Sequence, residues 1–266
     1  MTAPADYDDM SKPLFSFLTL VSSHEKYEAM VNSFRSVGFE DPACRFHAID
    51  NTHGNIADGY SALHLLREEL DGRYIIFVHD DVEATEDTLD QLVELLQELE
   101  QADPRWQIAG NAGFTSLANG KFAFKAHIND PHGEYRLESQ TQVESLDENF
   151  LVLKNGLRPS ADLSGFHLFA TDMCILARIS GGTAYVIPFL VQHKSAGGTS
   201  DALYECLEAF EEKYTGLGLS DTLRAPSTII FLGKHRNIKR FFFERRSRFE
   251  RFIDRRKKQI RRKLAS

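Results

Sequence analysis

The chain has 266 residues, 42% of them hydrophobic and 26% charged, with 17 Gly and 8 Pro, a composition that suits one large α/β domain or two small ones and excludes collagen-like, disordered and disulfide-rich classes. Its three cysteines, Cys44, Cys174 and Cys206, are widely spaced without paired-ligand spacing, which argues for free thiols in a reducing compartment and against a zinc ribbon. The net charge of −8 conceals a division: from Lys234 onward 15 Lys and Arg stand against 3 acids, a balance of +12, which leaves −20 on the rest of the chain.

Leu14 to Val21 (LFSFLTLV) is a continuous apolar run after a proline and reads as a central strand. Ser22 and Ser23 then open an amphipathic helix with Tyr27, Met30, Val31 and Phe34 on one face. The rhythm repeats: a short strand Cys44 to Ile49 ends at Asp50-Asn51, a helix is expected from Ile56 to Leu70, and Tyr74 to Val78 (YIIFV) is a third buried strand. Successive β-α-β units with such strands predict a mostly parallel, doubly wound sheet. A helix is expected from Thr85 to Asp103-Pro104, with the stripe Leu89, Leu92, Val93, Leu96 and Leu99, followed by a strand at Gln107 to Gly113.

After Gly113 the pattern becomes alternating. Lys121 to Ile128 and Glu134 to Glu138 flank the turn signal Asn129-Asp130-Pro131-His132-Gly133, which predicts a smaller antiparallel layer. Asp147 to Lys154 reads as a strand, Asp172 to Ile179 as a helix, Ala184 to Val191 as a strand carrying a proline, and Asp201 to Lys213 as a helix.

Three groups of residues carry chemistry. His79-Asp80-Asp81 follows the buried YIIFV strand directly, and in an open α/β sheet ligands sit outside the carboxyl ends of the strands. Asp50-Asn51 and Ser22-Ser23 end neighbouring strands at the same edge. Carboxylates there suit Mg²⁺ or Mn²⁺ shared with phosphates, the competing reading being a helix cap. The second group is Phe166 to Cys174, where Thr171-Asp172 precedes an apolar stretch and Asp172 alternatively serves only the start of a helix. In the third, Pro188 to Gly198, a strand runs into His193, Lys194 and two glycines; His193 is a candidate ligand or a structural histidine.

In this order the three groups resemble the bacterial GT-A fold glycosyltransferases of the family 2-like group, over roughly residues 14 to 200. The matching motifs are Phe77-Val78-His79-Asp80-Asp81-Val82, Phe166-His167 to Asp172, and Pro188-Phe189-Leu190 to His193-Lys194-Ser195. The sequence departs in reading His-Asp-Asp where the family has Asp-x-Asp, and Thr-Asp where many members have Glu-Asp. The resemblance implies a GT-A-like, mostly parallel sheet with a smaller antiparallel acceptor-side layer over residues 12 to 232. Thr19, Val21, Ser22, Asp50, Asn51, Asn55, Tyr60 and Asp80 would contact a nucleotide-diphosphate sugar. Asp81, with Asp80 and His193, would hold Mn²⁺ or Mg²⁺, and Asp172 would be the general base of an inverting transfer to a glycan or lipid-linked acceptor. Asp147, Glu148 and His167 are candidates for contacting sugar or acceptor; Asp147 and Glu148 read equally as a loop before a strand. A nucleotidyltransferase and a scaffold with a decayed transferase fold are the alternatives.

In residues 233 to 266, Phe242, Phe249, Ile253, Ile260 and Leu264 recur at helical spacing among Arg and Lys. That is the pattern of a helix lying on an anionic membrane; packing on the body or on a second subunit, as in a homodimer, and nucleic-acid binding compete with it. No apolar run approaches the roughly 18 residues that span a bilayer, and Met1 to Met10 lack an apolar signal core. The expected location is cytoplasmic, peripheral at the inner face of the cell membrane.

Overall fold

The computed structural model describes residues 12–118, 120–195, 201–243 and 245. The first half runs β1 (Phe15–Val21), α1 (His24–Ser36), β2 (Cys44–Asp50), α2 (Ala62–Leu65), β3 (Tyr74–Val78), β4 (Val82–Ala84), α3 (Leu89–Ala102) and β5 (Trp106–Gly110). Short strands follow: β6 (Ala112–Ser116), β7 (Phe122–Ala126), β8 (Ile128–Asp130), β9 (Gly133–Tyr135), β10 (Thr141–Val143), β11 (Ser145–Leu146) and β12 (Phe150–Lys154). The last part holds α4 (Phe169–Ile179), β13 (Thr183–Val186), β14 (Val191–His193), α5 (Asp201–Gly216), β15 (Thr222–Arg224) and β16 (Ile229–Phe231).

Seven strands form the central sheet in the order β10-β13-β5-β12-β3-β1-β2. β1, β2 and β3 are mutually parallel, whereas β12 enters antiparallel between β3 and β5. Alternation along the strands feeds two cores. Phe15, Phe17, Ile76 and Val78 pack with Met30 and Phe34 of α1 and Leu92, Leu96 and Leu99 of α3. Leu18, Ile75, Phe77 and Leu151 pack on the other side with Phe169, Met173 and Ala177 of α4. Burial on both faces is why these strands read as unbroken apolar runs. The smaller layer is divided between an antiparallel three-stranded sheet, β11-β6-β7, and a mixed four-stranded one, β4-β14-β8-β9, in which β14 and β8 are parallel and the 129–133 turn joins β8 to antiparallel β9.

Several elements differ from expectation. The helix expected over Ile56 to Leu70 shrinks to α2, because Asn51 and Asp58 capture the preceding backbone: the Asn51 side chain accepts from Ile56 N–H and donates to the Ala57 carbonyl, and Asp58 accepts from Tyr60 and Ser61 N–H. α3 begins at Leu89 and not at Thr85, since Thr88 and Gln91 form a reciprocal capping box and β4 occupies the segment before it. The proline-bearing run Ala184 to Val191 splits into β13 and β14. α4 starts three residues before Asp172, at Phe169. Residues 236–243 are helical, and the rest of the basic segment, with Phe249, Ile253, Ile260 and Leu264, lies outside the described residues, as do Ala196 to Gly198.

Gly113 lets β11 lie close on β6. A Cβ there would stand 2.3 Å from the Ser145 carbonyl oxygen, a backbone atom that cannot swing aside. Gly113→Ala is therefore expected to destabilise the protein by about 2 kcal/mol, seen as a lower midpoint in urea unfolding, with β11 and the Asp147-Glu148 segment after it displaced. An unchanged midpoint contradicts this.

Candidate active site

The site is built at one edge of the central sheet. β1 ends at Val21, so Ser22 follows; β2 ends before Asn51; β3 ends at Val78 and delivers His79, Asp80 and Asp81. Antiparallel β12 begins at the same level, with Phe150 opposite Val78, and His79 N–H donates to the Asn149 carbonyl at 3.0 Å. That reversed strand brings Asp147 and Glu148 to the edge from the opposite direction. β14 pairs with β4, placing His193 opposite Val82, and Lys194 N–H donates to the Asp81 carbonyl at 3.1 Å. These residues converge on a cleft of about 900 Å³.

Asp80 is 6% exposed and is turned toward Ser22 and Ser23 at the cleft's edge. Its Oδ2 accepts from Ser22 N–H (2.6 Å), the Ser22 hydroxyl (2.7 Å) and Ser23 N–H (3.0 Å), at the N-terminus of α1. A carboxylate held this way satisfies unpaired amides and is favoured by the helix dipole. Its neighbours project otherwise. One ligand atom each from His79, Asp81 and His193 lie within 4.8 Å of one another, with His193 Nε2 at 3.5 Å from Asp81 Oδ1.

The electrostatics of this trio are mutually adjusted. Burial and the nearby His193 push His79 below the usual histidine range. Burial would raise Asp81, but hydrogen bonds from His193 and Ser195 and the two imidazoles outweigh it and hold the carboxyl well below its ordinary value. Burial lowers His193, and the Asp81 hydrogen bond and charge overcome that to raise it. Nearby, burial raises Asp147, and burial together with the Asp147 carboxylate pushes Glu148 up to about 8. Glu148 Oε1 accepts the Leu168 N–H at 2.8 Å. Leu168, at φ 68°, is the non-glycine residue with left-handed backbone among the described residues, an observed strain placed where the chain turns its amide toward a cleft carboxylate.

Two imidazole nitrogens and a carboxylate oxygen form a donor set that fits a divalent transition ion such as Mn²⁺. The carboxylate is already ionised and His79 already neutral, the states a ligand requires. Ser22, Asn51, Asn55, Asp80, Asp81, Asp147, Glu148, His167 and His193 all line the cleft. Thr19 and Val21 are buried in β1, Tyr60 is buried against Phe169, and Asp50 binds the Thr52 hydroxyl and N–H outside the cleft wall.

Asp172 lies apart from the residues that line the cleft. Its side chain is 0% exposed and both carboxylate oxygens are engaged, by Ser160 N–H (2.7 Å), the Ser160 hydroxyl (2.7 Å) and the Tyr214 hydroxyl (2.5 Å). It ties α4 to the loop before it and to α5, and an acceptor in the cleft does not meet it. Asp80 likewise stands outside the trio, where His79 takes the place expected for it. Sequence reasoning also missed Lys26, Phe124 and Tyr135, which line the cleft. Their signal was faint: an amphipathic helix's polar face and two aromatics in short alternating strands.

The chain matches no protein-family model. Among solved structures it is similar to GalNAc-T7, crystallised with UDP, GalNAc and Mn²⁺, at TM-score 0.51 and 8% identity over 76% of this chain. The chain spans about half (47%) of the length of GalNAc-T7. A mannosyltransferase from Pyrobaculum calidifontis, in complex with GDP-Man and Mn²⁺, aligns at TM-score 0.48 and 10% identity over 77% of this chain and 62% of its own. The fold is thus GT-A-like: a large mixed sheet flanked by helices, with the smaller antiparallel layer beside it. Within that class the chain belongs to the family of the protein named ATP synthase subunits region ORF 6 of Fuscovulum blasticum, to which it is 36% identical over 213 residues, 77% of this chain and 85% of the relative.

Removing a member of the trio is expected to weaken Mn²⁺ binding by at least about tenfold, since even outer partners of metal ligands contribute that much. Calorimetric titration of Asp81→Asn and His193→Ala against the parent checks it. Because Asp81 keeps His193 protonated to higher pH than an ordinary histidine, protons compete for the site, and Mn²⁺ affinity should fall as pH drops through that raised range. A pH-independent affinity contradicts the His193 assignment.

Proposed function

We propose that the protein is a metal-dependent glycosyltransferase that moves a sugar from a nucleotide-diphosphate donor to a hydroxyl of an acceptor. The observation that carries this reading is the convergence of His79, Asp81 and His193 with Glu148 in one cleft at the carboxyl ends of β1, β2 and β3. The UDP and Mn²⁺ of GalNAc-T7 support a nucleotide-diphosphate donor and a divalent ion here. When bound, the ion supplies positive charge to the departing diphosphate. Mn²⁺ is favoured over Mg²⁺ because two of the three ligands are imidazoles. Ser22, Asn51 and Asn55 stand at the ends of β1 and β2, where base and ribose would lie, and Lys26 adds a cation to that wall.

The role of general base passes from Asp172 to Glu148. Glu148 is in the cleft, its geometry is fixed by Leu168 N–H, and burial and Asp147 bring its pKa to about 8, near working pH, where a base is most effective. In the proposed step Glu148 takes the acceptor hydroxyl proton while that oxygen forms a bond to the anomeric carbon. The bond from that carbon to the diphosphate oxygen breaks, and the nucleotide diphosphate leaves with the electron pair. A single displacement of this kind inverts configuration.

Two substitutions separate the carboxylates. Glu148→Gln is expected to lower transfer by about a hundredfold or more while the protein still binds nucleotide diphosphate and unfolds normally. Asp172→Asn is expected chiefly to lower stability, by about 1–3 kcal/mol, because it disturbs a buried network. In the parent, turnover should rise with pH, since the raised Glu148 is increasingly ionised as pH approaches and passes 8. Full turnover in Glu148→Gln overturns the assignment.

We further propose that residues 233–266 are a separate basic tail that holds the enzyme to anionic membrane, giving it a peripheral location on the cytoplasmic side. Support comes from the tail's described root. Arg240 Nη2 contacts both oxygens of buried Glu211, at 2.7 and 2.6 Å, and Glu211 also accepts Phe231 N–H. The root is thereby fixed to the β15–β16 hairpin, whose turn residues Pro226 and Ser227 line the cleft. Ile238, Phe241 and Phe242, at helical spacing, are each more than half exposed, and 15 Lys and Arg accompany them from Lys234 onward. No helix among the described residues is long and apolar enough to cross a membrane. Full-length protein should sediment with vesicles of mixed anionic and zwitterionic lipid and lose that affinity when truncated before Lys234. Equal binding by both forms discards the tail's role.

A further inference from the structure

Beside the trio the cleft wall changes character. Phe114 on β6, Phe124 on β7 and Tyr135 on β9 form a row of rings: the Phe114 and Phe124 centroids are 4.9 Å apart at 40°, and those of Phe124 and Tyr135 are 5.2 Å apart at 90°. Arg224 lies 5.5 Å from the Phe114 ring centroid and steadies that end of the row. Phe124 stays 39% exposed within the cleft. Phe166, 41% exposed, is a further ring of the same wall. Rings left open in a concave site are surface kept for a ligand.

The lining discriminates between classes of ligand. Apart from Leu20 and Pro226, the apolar side chains lining the cleft are aromatic, and they are interspersed with Asp130, His132, His167 and Ser227. A polyprenyl or acyl chain is best buried against continuous aliphatic wall, which this cleft lacks among its described residues. A pyranose has faces of C–H groups carrying slight positive charge, which suit the negative face of an aromatic ring. It also has equatorial hydroxyls, which suit carboxylate, imidazole and hydroxyl partners around the ring. Alternation of tilted rings with polar groups matches that chemistry better than it matches an aliphatic chain.

We infer that Phe124 and Tyr135, backed by Phe114, form the acceptor subsite, and that the acceptor presents a saccharide there, so that the new bond joins sugar to sugar. This rests on the transferase reading for the assignment of the row to the acceptor side. If the acceptor carries a lipid, the lipid lies outside the cleft.

Saturation-transfer NMR on the full chain, loaded with UDP and Mg²⁺ to avoid paramagnetic broadening, tests the inference with oligomers of glucose, galactose, mannose and N-acetylglucosamine as probes. The expected result is transfer to pyranose ring protons of at least one oligomer. Phe124→Ala should weaken that binding by about tenfold, and Phe124→Tyr, which keeps the ring, should not. UDP binding measured by calorimetry should be the same in all three proteins. Absence of transfer to every oligomer, or transfer unaffected by Phe124→Ala, overturns the saccharide subsite. Failure of UDP, GDP, ADP and CDP alike to bind the parent protein instead strikes the transferase reading, so the two failures are distinguishable.

Discussion

The grip of Asp80 on Ser22 and Ser23 is the interaction on which the site depends. Two backbone amides and a hydroxyl donate to one carboxylate oxygen, and hydrogen bonds to an ionised acceptor are about twice as strong as neutral ones. The bond set joins the end of β3 to the turn between β1 and α1, two places far apart in sequence. With Asp80 turned inward, the residues on either side of it are turned outward. His79 and Asp81 are therefore free to meet His193, while Asp80 stays bound at the N-terminus of α1. The residue in the middle of the motif has become the anchor that presents its neighbours.

A second constraint follows from the charge gathered at that edge. His79, Asp81, Asp147, Glu148 and His193 are all at least partly withdrawn from water, and their protonation states are set by one another. The pattern is one of opposed environments: Asp81 is driven toward its ionised form by two imidazoles, while Glu148, beside another carboxylate, is driven toward its neutral form. Environments of this kind push like carboxylates toward opposite protonation states within one cleft. The acidic body would repel a diphosphate. Lys26 at the rim, and a cation if the trio held one, would oppose that repulsion locally.

Much of the architecture was legible in the sequence for a simple reason. β1 and β3 are covered on both faces, so their sequences are continuous apolar runs, and α1 shows its stripe of Met30, Val31 and Phe34 because one face alone is buried. The Asn129 to Gly133 turn carries its own local chemistry. Where side chains compete with backbone, the pattern misled: the apolar spacing of Ile56 to Leu70 looked helical, but Asn51 and Asp58 bond to the intervening amides and leave one short turn of helix. Nine of the expected site residues do line one cleft, since strand ends on one sheet edge must be neighbours. Asp172, in the first turn of α4, instead meets Ser160 and Tyr214, partners that come from elsewhere in the chain and leave no trace in its local sequence.

The sequence by itself determined which segments would be central strands, where the sheet edge carrying polar residues would fall, and that the chain divides into an acidic body and a basic end. Those properties are local, because burial pattern and charge are written in consecutive residues. Tertiary structure alone decided which of two adjacent aspartates joins His79 and His193 and which is bound by Ser22 and Ser23, and that Glu148 and not Asp172 lines the cleft. Adjacent side chains after a strand point in different directions, and which direction is productive depends on partners such as Ser22, Asn149 and Leu168, each brought there from a distant part of the chain.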